Sequence, residues 1–423
     1  MPPRPGLIYS ALRDSARPTS KSVAELAASA DMRDCLQWFQ RERQWIAERH
    51  LQLCRIPAPT FFEVRRAEWI ASEFKALGCD AKLDRAGNVL ATLSANAEGP
   101  HTALTAHLDT VLAPRRDDEI TITQDGRMHG PGVSDNGAGL AALLAVAAAI
   151  KSNSEIAERL GNILFVANVG EEGEGNLSGM RYLCRQSPQA PKIHSFLVLD
   201  GPNVDHITTR ALASRRYEII FTGPGGHSWS DHGIANPIHA LARAVTIFSE
   251  QQAVNQSSPR SSYNFGVMEG GTSINSIPTE ARAKIDLRSE SAAKLEELVH
   301  LLAACVERSL DVENERSAGR TAAGKVAAKI REIGSRPGGE LPDDSSFLKA
   351  LRAVDSHLGI RSQVECASTD ANIPLSLGLP AMSIGAGGIG GGAHTQAEWF
   401  HPEGRHIGLQ RILLTLALAA ATS

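Results

Sequence analysis

Two stretches of this 423-residue sequence decide the fold: TALTAHLD at residues 102–109 and GPGVSDNGAGLAALLAVAAAIK at residues 130–151. The first is a short apolar run that ends in the polar residues His107 and Asp109. The second is a glycine-rich loop that carries Asp135 and leads into an apolar helix from about Gly139 to Lys151. A buried strand, a loop and a buried helix in this order are typical of an α/β protein.

The same alternation of apolar strands and helices continues on both sides of these stretches. Helices are predicted from Val23 to about Cys54 and from Glu63 to Leu77, where Gly78 is a suitable C-cap. Further strands are predicted at 162–169, 195–200 and 381–385, and further helices at 178–186, 345–357 and from 403 onward. We therefore predict an α/β fold in which a mostly parallel sheet has helices on both faces.

A segment of different character begins near residue 213. RRYEIIFT at 215–222 alternates polar and apolar residues, as a half-exposed antiparallel strand does. Strands at 262–269, 280–288 and 324–332 and helices at 237–251 and 292–310 complete a β-α-β-β-α-β order. This order predicts an inserted ferredoxin-like α+β domain at 213–335 between two parts of a catalytic domain, 1–212 and 336–423. Residues 1 to about 20 are predicted to be a polar lead-in.

Composition excludes several classes of function. The chain is 42% hydrophobic and 21% charged with a net charge of −4, so no nucleic-acid or membrane partner is indicated. The six cysteines are scattered, which favours reduced thiols. The N-terminus has no secretory pattern, and the longest apolar stretches, 140–150 and 412–422, are too short to cross a membrane. We therefore expect a cytoplasmic protein of two or three domains.

Acidic and imidazole side chains follow the predicted strands or lie in the adjoining loops. They are His107, Asp109, Asp135, Glu171, Glu172, Asp200 and His394. Each alone could be an ordinary turn or cap residue, and the paired glutamates could be a solvated acidic turn. Together, so many carboxylates at one edge of a sheet would repel one another unless cations neutralised them. Two histidines and three carboxylates suit two zinc ions, or manganese or cobalt, so we predict a dinuclear metal site.

The segment from Gly385 to Gly390 fits the GxGxxG pattern after a strand, which could indicate dinucleotide binding. No apolar helix opens after it, and no strand ending in an acidic residue follows about 20 residues later. The remaining interpretation is a flexible loop that lets backbone approach a substrate.

Seven motifs together resemble a known family. They are His107-Leu-Asp109, Gly-Val-Ser-Asp135-Asn-Gly-Ala-Gly, Gly170-Glu171-Glu172-Gly, Leu-Asp200-Gly, Gly225-Gly226-His227-Ser, Asn275-Ser-Ile-Pro and His394. In this order they resemble the dizinc metallopeptidases that include peptidase T, carboxypeptidase G, succinyl-diaminopimelate desuccinylase, acetylornithine deacetylase and aminoacylase. The resemblance spans roughly residues 40–420 and is strongest to peptidase T.

The resemblance implies a role for each member of the cluster. Asp135 would bridge two zinc ions. His107 and Asp200 would complete the ligands of one ion, and Glu172 and His394 those of the other.

Two further residues of the cluster would not bind metal. Asp109 would orient His107 through its far ring nitrogen. Glu171 would be the general base that deprotonates the metal-bridging water and passes the proton to the leaving amine. The resemblance also implies a cis peptide bond between Asp135 and Asn136.

The inserted domain resembles the family's lid and dimerisation domain. His227 would reach across a homodimer to the oxyanion in the partner's active site, although without the resemblance it would be taken for a surface turn residue. Asn275 and Arg288 would hold polar groups of the substrate, Arg288 by gripping a carboxylate. The alternative for Arg288 is an ion pair within the lid.

Three functions are compatible with these residues. The first is an aminopeptidase or di-/tripeptidase, favoured because Asp200 and the sequence EEGEGNLSG resemble peptidase T. The second is an N-acyl-amino-acid amidohydrolase with the same metal chemistry and a different pocket. The third is a catalytically silent binding protein, disfavoured because the base and all five ligands are present.

Overall fold

The computed structural model describes residues 20–93, 99–160, 162–252, 259–317 and 324–422. The predicted lead-in at residues 1–19 lies outside them. The helices are α1 Ser20–Ala28, α2 Ala30–Arg41, α3 Arg43–Arg55, α4 Val64–Ala76, α5 Gly137–Lys151, α6 Ser154–Arg159, α7 Ser178–Arg185, α8 Pro237–Gln251, α9 Ala292–Arg316, α10 Ser346–Leu358, α11 Asn372–Ser376 and α12 Arg405–Thr422.

The strands alternate with these helices along the chain. They are β1 Asp80–Leu83, β2 Val89–Thr92, β3 His101–His107, β4 Thr121–Ile122, β5 Met128–His129, β6 Ile163–Asn168, β7 Ile193–Leu199, β8 His206–Ala211, β9 Ala213–Thr222, β10 Gly226–His227, β11 Ser261–Gly270, β12 Ser276–Ile277, β13 Glu280–Ser289, β14 Ala327–Arg336, β15 Gly339–Glu340, β16 Gln363–Ala367, β17 Ala381–Ile384, β18 Ile389–Gly391 and β19 Trp399–His401.

The central sheet has nine strands. Its order is β1-β2-β6-β3-β7-β17-β8-β15, and β16 also pairs with β8. The central run β6-β3-β7-β17 is parallel throughout, whereas β1, β2 and β15 pair antiparallel at the edges. The predicted α/β fold with a mostly parallel sheet is therefore confirmed.

Burial explains why β3 occupies the middle of this sheet. All seven of its residues are buried, as expected for a strand covered on both faces. Helix α5 is buried from Gly137 to Ile150 and packs against β3 and β6. The Asn136 side chain caps this helix by accepting the Gly139 N–H at 3.1 Å. As a result, the carboxyl ends of β3, β6 and β7 and the start of α5 lie at one edge of the sheet.

The segment from Val23 to about Cys54 is helical as predicted, but it is divided into three helices at breaks that the sequence analysis did not predict. The chain is extended at Ser29, with φ −60° and ψ 143°, and leaves the helical region at Glu42, with φ −99° and ψ 22°. Each helix buries an apolar face of its own, so the amphipathic pattern continues across both breaks. In the central sheet, the strands β1, β2, β8, β15 and β16 were also missed. Strand β1 buries only one of its four residues, which leaves little pattern to detect.

The inserted segment forms a separate four-stranded antiparallel sheet. Its order is β11-β13-β9-β14, and helices α8 and α9 share one apolar core with it. Two helices on a sheet with this strand order make the ferredoxin-like arrangement that the sequence predicted. Strand β9 begins at Ala213 and β14 ends at Arg336. The domain boundaries at 213 and 335 stay predictions. We call the segment from the start of β9 to the end of β14 at Arg336 the lid.

A separate small sheet has the order β18-β19-β5-β4. The glycine-rich segment enters it as β18, and no helix opens after the glycines. Gly388 has φ +91°, and a Cβ there would come within 2.6 Å of the Phe400 ring. Close packing against Phe400 therefore accounts for this glycine without a dinucleotide.

Among the described residues, none of the helices is both long enough and apolar enough to span a membrane.

Candidate metal centre

The cluster of acidic and imidazole side chains forms at the carboxyl edge of the central sheet. His107 is the last residue of β3, and Asp200 comes directly after β7. Glu171 and Glu172 follow β6, and Asp135 lies just before α5. His394 comes from the segment after β18, where its φ of 65° is left-handed.

The carboxylate of Asp135 lies between the two histidines. Its Oδ1 is 3.0 Å from His107 Nε2, and its Oδ2 is 3.0 Å from His394 Nε2. The peptide bond between Asp135 and Asn136 is cis, as the resemblance implied. Each carboxylate oxygen therefore faces a different imidazole, which is the arrangement a bridging ligand requires.

One further carboxylate accompanies each histidine. Glu172 Oε1 lies 2.9 Å from His394 Nε2, and Asp200 Oδ1 lies 3.9 Å from His107 Nε2. The donor atoms of His107, Asp135 and Glu172 all lie within 4.8 Å of one another, as in a group that could hold a metal ion. The five residues expected to be ligands thus share one cluster, with an imidazole and a carboxylate on each side of Asp135.

The electrostatics of the cluster favour positive charge at its centre. Burial lowers the pKa of His107, but hydrogen bonds to Asp109 and Asp135 outweigh burial and raise that pKa well above its ordinary value. Hydrogen bonds to Asp135 and Glu172 raise the pKa of His394 to about 10. Burial and the charge of Asp135 raise the pKa of Asp200 to about 7. Imidazole and carboxylate donors that stabilise positive charge in this way fit zinc-like cations.

Asp109 is fully buried and holds two parts of the site together. Its main-chain carbonyl lies 2.9 Å from His107 Nδ1, whereas its carboxylate Oδ1 is 3.6 Å away. The carboxylate instead accepts the N–H groups of Glu171 at 3.0 Å and Glu172 at 2.9 Å, and the Thr60 hydroxyl at 2.9 Å. The carbonyl of Asp109 therefore orients His107 more directly than its carboxylate does.

Sequence reasoning missed Glu398, which holds the loop that carries Asp135. The buried Glu398 carboxylate accepts three main-chain N–H groups: Gly132 at 2.7 Å, Ser134 at 2.8 Å and Asp135 at 2.8 Å. The sequence feature that could have indicated Glu398 is its position four residues after His394, between apolar residues of a short strand-like segment.

Asn136 also supports the site, through contacts that the sequence analysis did not predict. Its Nδ2 donates to the Leu199 carbonyl at 2.8 Å, and its Oδ1 accepts the Gly201 N–H at 3.3 Å. These contacts tie the loop of Asp135 to the strand end that carries Asp200.

Two buried charged residues that no sequence motif indicates, Arg336 and Asp370, lie around Glu171. Arg336 Nη1 donates to Glu171 Oε1 at 2.8 Å and to Ser368 Oγ at 2.9 Å. Asp370 accepts a hydrogen bond from Asn168 at 2.6 Å, and burial raises the pKa of Asp370 to about 6. Burial raises the pKa of Glu171 well above its ordinary value, against the lowering effect of Arg336.

His227 lies on the exposed surface of the lid, and its described contacts within the chain are local. Its Nδ1 accepts the N–H groups of Trp229 at 3.2 Å and Ser230 at 3.4 Å. Its own N–H donates to Asp231 at 2.8 Å, and β10 pairs with β12 at Ser276. The structure of one chain therefore does not join His227 to the cluster.

Asn275 and Arg288 also lie on the lid. Asn275 Oδ1 accepts the Ser273 hydroxyl at 2.6 Å. Arg288 Nε donates to Asp286 Oδ2 at 2.7 Å, so the ion pair considered as its alternative role is present in the lid. Arg288 also lines a cavity of about 550 Å³, so its side chain stays accessible.

A mostly parallel α/β sheet with carboxylates and imidazoles gathered at its carboxyl edge is typical of a metal-dependent hydrolase. Residues 103–418 match the model of Peptidase family M20/M25/M40. The chain belongs to this family, because the match spans well over half of its length. It is a metallopeptidase-type hydrolase, and the predicted resemblance is confirmed.

Two relatives illustrate the range of the family. The uncharacterized protein YqjE of Bacillus subtilis (strain 168) is 24% identical over 359 residues, 81% of this chain and 90% of that protein. The acetylornithine deacetylase of Proteus mirabilis (strain HI4320) is 24% identical over 314 residues, 71% of this chain and 75% of that protein.

Two solved structures share the fold. A tripeptidase from Staphylococcus aureus superposes with a TM-score of 0.72 at 22% identity, covering 89% of this chain and 98% of that chain. The Bacillus subtilis YXEP protein, a dinuclear metal-binding peptidase, superposes with a TM-score of 0.64 at 17% identity, covering 91% and 100%.

We predict that Glu398→Gln weakens zinc binding about 10- to 100-fold, the usual effect of losing a residue that positions a ligand. The amide keeps one acceptor oxygen, so it cannot receive all three N–H groups that fix the Asp135 loop. Zinc titration against a competing chelator measures this affinity. Glu403→Gln is the control, because the Glu403 side chain is 75% exposed. Equal zinc affinity of Glu398→Gln and the control would contradict this role.

Proposed function

We propose that the protein is a dizinc-dependent hydrolase of short peptides, an aminopeptidase or di-/tripeptidase. The observation that carries this proposal is the position of the Asp135 carboxylate, whose two oxygens each lie 3.0 Å from Nε2 of a different histidine. The donor set supports zinc-like ions, with cobalt or manganese as alternatives. The fold shared with a tripeptidase and the aspartate at position 200 favour peptides as substrates.

The five proposed ligands divide into two sets around Asp135. His107 and Asp200 would hold one ion, and Glu172 and His394 the other. When bound, such ions polarise the scissile carbonyl and lower the pKa of water. The chain's own contribution is to hold these donors in place through Glu398, Asn136 and Asp109.

Glu171 is the proposed general base. It is buried beside the ligands, and Arg336 engages its Oε1 at 2.8 Å. Within the described part of the chain Oε2 makes no hydrogen bond, so Oε2 is the oxygen we assign to proton transfer. It accepts a proton from the attacking water and then delivers that proton to the nitrogen of the leaving amine.

His227 is proposed to stabilise the oxyanion in a partner subunit. Because Nδ1 accepts two main-chain N–H groups, the proton of a neutral ring lies on Nε2, which can then donate to an oxyanion. His227 is exposed on the lid, as a residue acting on a second subunit would be. Strand β11 is an edge strand of the lid with Met268 half exposed, which suits pairing across a two-fold axis.

Arg288 and Asn275 are proposed to bind polar groups of the substrate. Asp286 engages only Nε of Arg288, so in the described residues both Nη groups stay available for a carboxylate. Arg260, Asp286 and Glu290 line the same cavity, so its two guanidinium groups are matched by two carboxylates. The free Nη groups of Arg288 would bind the C-terminal carboxylate of a peptide.

A second candidate function is N-acyl-amino-acid hydrolysis. It is favoured by similarity to an acetylornithine deacetylase, and it would use the same cluster. A silent binding protein is disfavoured, because the proposed base and all five proposed ligands lie together in one cluster.

The substrate class can be tested by turnover of the zinc-loaded enzyme on two matched panels. One contains di- and tripeptides with free amino ends, and the other the corresponding N-acetyl and N-succinyl amino acids. We expect kcat/KM to be at least about 100-fold higher for the peptides, because a site fitted to one polar end group rejects analogues that lack it. The reverse ranking would favour the deacylase.

The role of His227 predicts a shared active site. His227→Ala and Glu171→Gln should each be nearly inactive, with losses of roughly 10² or more. After subunit exchange, a mixed dimer has one site with both groups intact, so it should regain up to about half of the wild-type activity. Exchange is verified by mass spectrometry of the dimers. Verified exchange with no recovered activity would show that His227 does not act on the partner's site.

A further inference from the structure

Four residues of the lid contact the loop that carries the proposed base. Arg216 of β9 donates to the Gly173 carbonyl, and Lys284 of β13 lies 3.4 Å from Glu174. Ser335 of β14 donates its N–H to Asn176 Oδ1 at 3.1 Å, and Arg336, the last residue of β14, contacts Glu171. The lid therefore meets the catalytic domain along the segment 171–176.

Arg336 makes the most extensive of these contacts. Its Nη1 donates to Glu171 Oε1 at 2.8 Å, and its Nη2 donates to the main-chain carbonyl of the same residue. The same Nη1 also donates to Ser368 Oγ at 2.9 Å. The two side chains are only 7% and 6% exposed. A guanidinium that grips both the side chain and the backbone of one residue sets the direction in which that side chain points.

The path of β14 explains how Arg336 reaches this position. The pairing of β14 with β9 shifts between Glu332 and Gly334, two residues before Arg336. A bulge of this kind bends the strand and redirects the side chains that follow it. Arg181 of the catalytic domain donates to the Ser335 carbonyl and holds the bent end in place.

We propose that Arg336, at the end of the last strand of the lid, is a positioning residue for Glu171. Its guanidinium keeps the carboxylate of the general base oriented for proton transfer. The proposal rests on the assignment of Glu171 as the base. Arg336 fixes Oε1 and thereby leaves Oε2 directed at the substrate. Removing the guanidinium lets the glutamate rotate, so the base is misplaced while the metal ligands stay anchored by Glu398 and Asp109.

A double-mutant cycle with Arg336→Met and Glu171→Gln tests this proposal. Misplacement of a reacting group typically costs about 10- to 100-fold in rate, so Arg336→Met should lower kcat by that factor with KM nearly unchanged. In the Glu171→Gln background the same substitution should have little further effect, because the base it positions is absent. Zinc content, measured independently of activity, should equal that of the wild type.

Two further variants distinguish the loss of positioning from a folding defect. Arg336→Lys keeps the positive charge but loses the planar guanidinium that donates to both the side chain and the backbone of Glu171. Its kcat should therefore lie between the values of the wild type and Arg336→Met. In Arg336→Ala, guanidinium ion at a non-denaturing concentration should restore part of kcat, whereas the same concentration of sodium chloride should not. The matched control is Arg331→Met on the same strand, whose guanidinium pairs with Glu218. Its kcat should equal that of the wild type.

The outcomes distinguish the assignment of Glu171 as the general base from the assignment of Arg336 as its positioning residue. Full kcat in Glu171→Gln would overturn the base itself. A slow Glu171→Gln together with full kcat in Arg336→Lys and no rescue by guanidinium would overturn the role of Arg336 alone. Additive losses of kcat in the double variant would also overturn the role of Arg336 alone.

Discussion

The Asp135 carboxylate, placed between two imidazoles, is the constraint on which the rest of the site depends. A carboxylate can face two cations only if its loop holds both oxygens in fixed directions. Glu398 supplies that restraint by accepting three N–H groups of the loop, and Asn136 ties the next residue to the end of β7. The central sheet then brings the remaining proposed ligands to the same edge.

The loop from Glu171 to Asn176 joins the chemistry to the lid. Asp109 accepts the N–H groups of both glutamates, so it orders the loop from the side of the sheet. Arg336 holds the same loop from the side of the lid. One short segment thus carries a proposed ligand, the proposed base and the contact between domains, which makes the position of the lid relevant to catalysis.

Much of the fold could be predicted because its strands and helices are strongly apolar. β3 is buried along its whole length, and its end at His107 was placed within one residue. The lid was predictable from its alternating strands, such as β9. By contrast, the breaks at Ser29 and Glu42 leave the amphipathic pattern intact and give no sequence signal.

The proposed metal ligands were easier to find than the residues that support them. His107, Asp135 and Glu172 lie in motifs with a recognisable order, whereas Glu398 and Arg336 act through hydrogen bonds to residues more than 150 positions away. Contacts at such separation depend on tertiary structure, which local sequence patterns do not encode. The sequence therefore predicted the proposed ligands but not what holds them.

In the proposed mechanism two cations share Asp135, and Glu171 binds neither of them. This arrangement can be tested by elemental analysis of the zinc bound per chain at saturation in the wild type, Glu171→Gln and Glu172→Gln. We expect about two ions per chain in the wild type and in Glu171→Gln, and weaker, incomplete loading in Glu172→Gln. Saturation of the wild type at one ion, or loss of zinc from Glu171→Gln but not from Glu172→Gln, would contradict it.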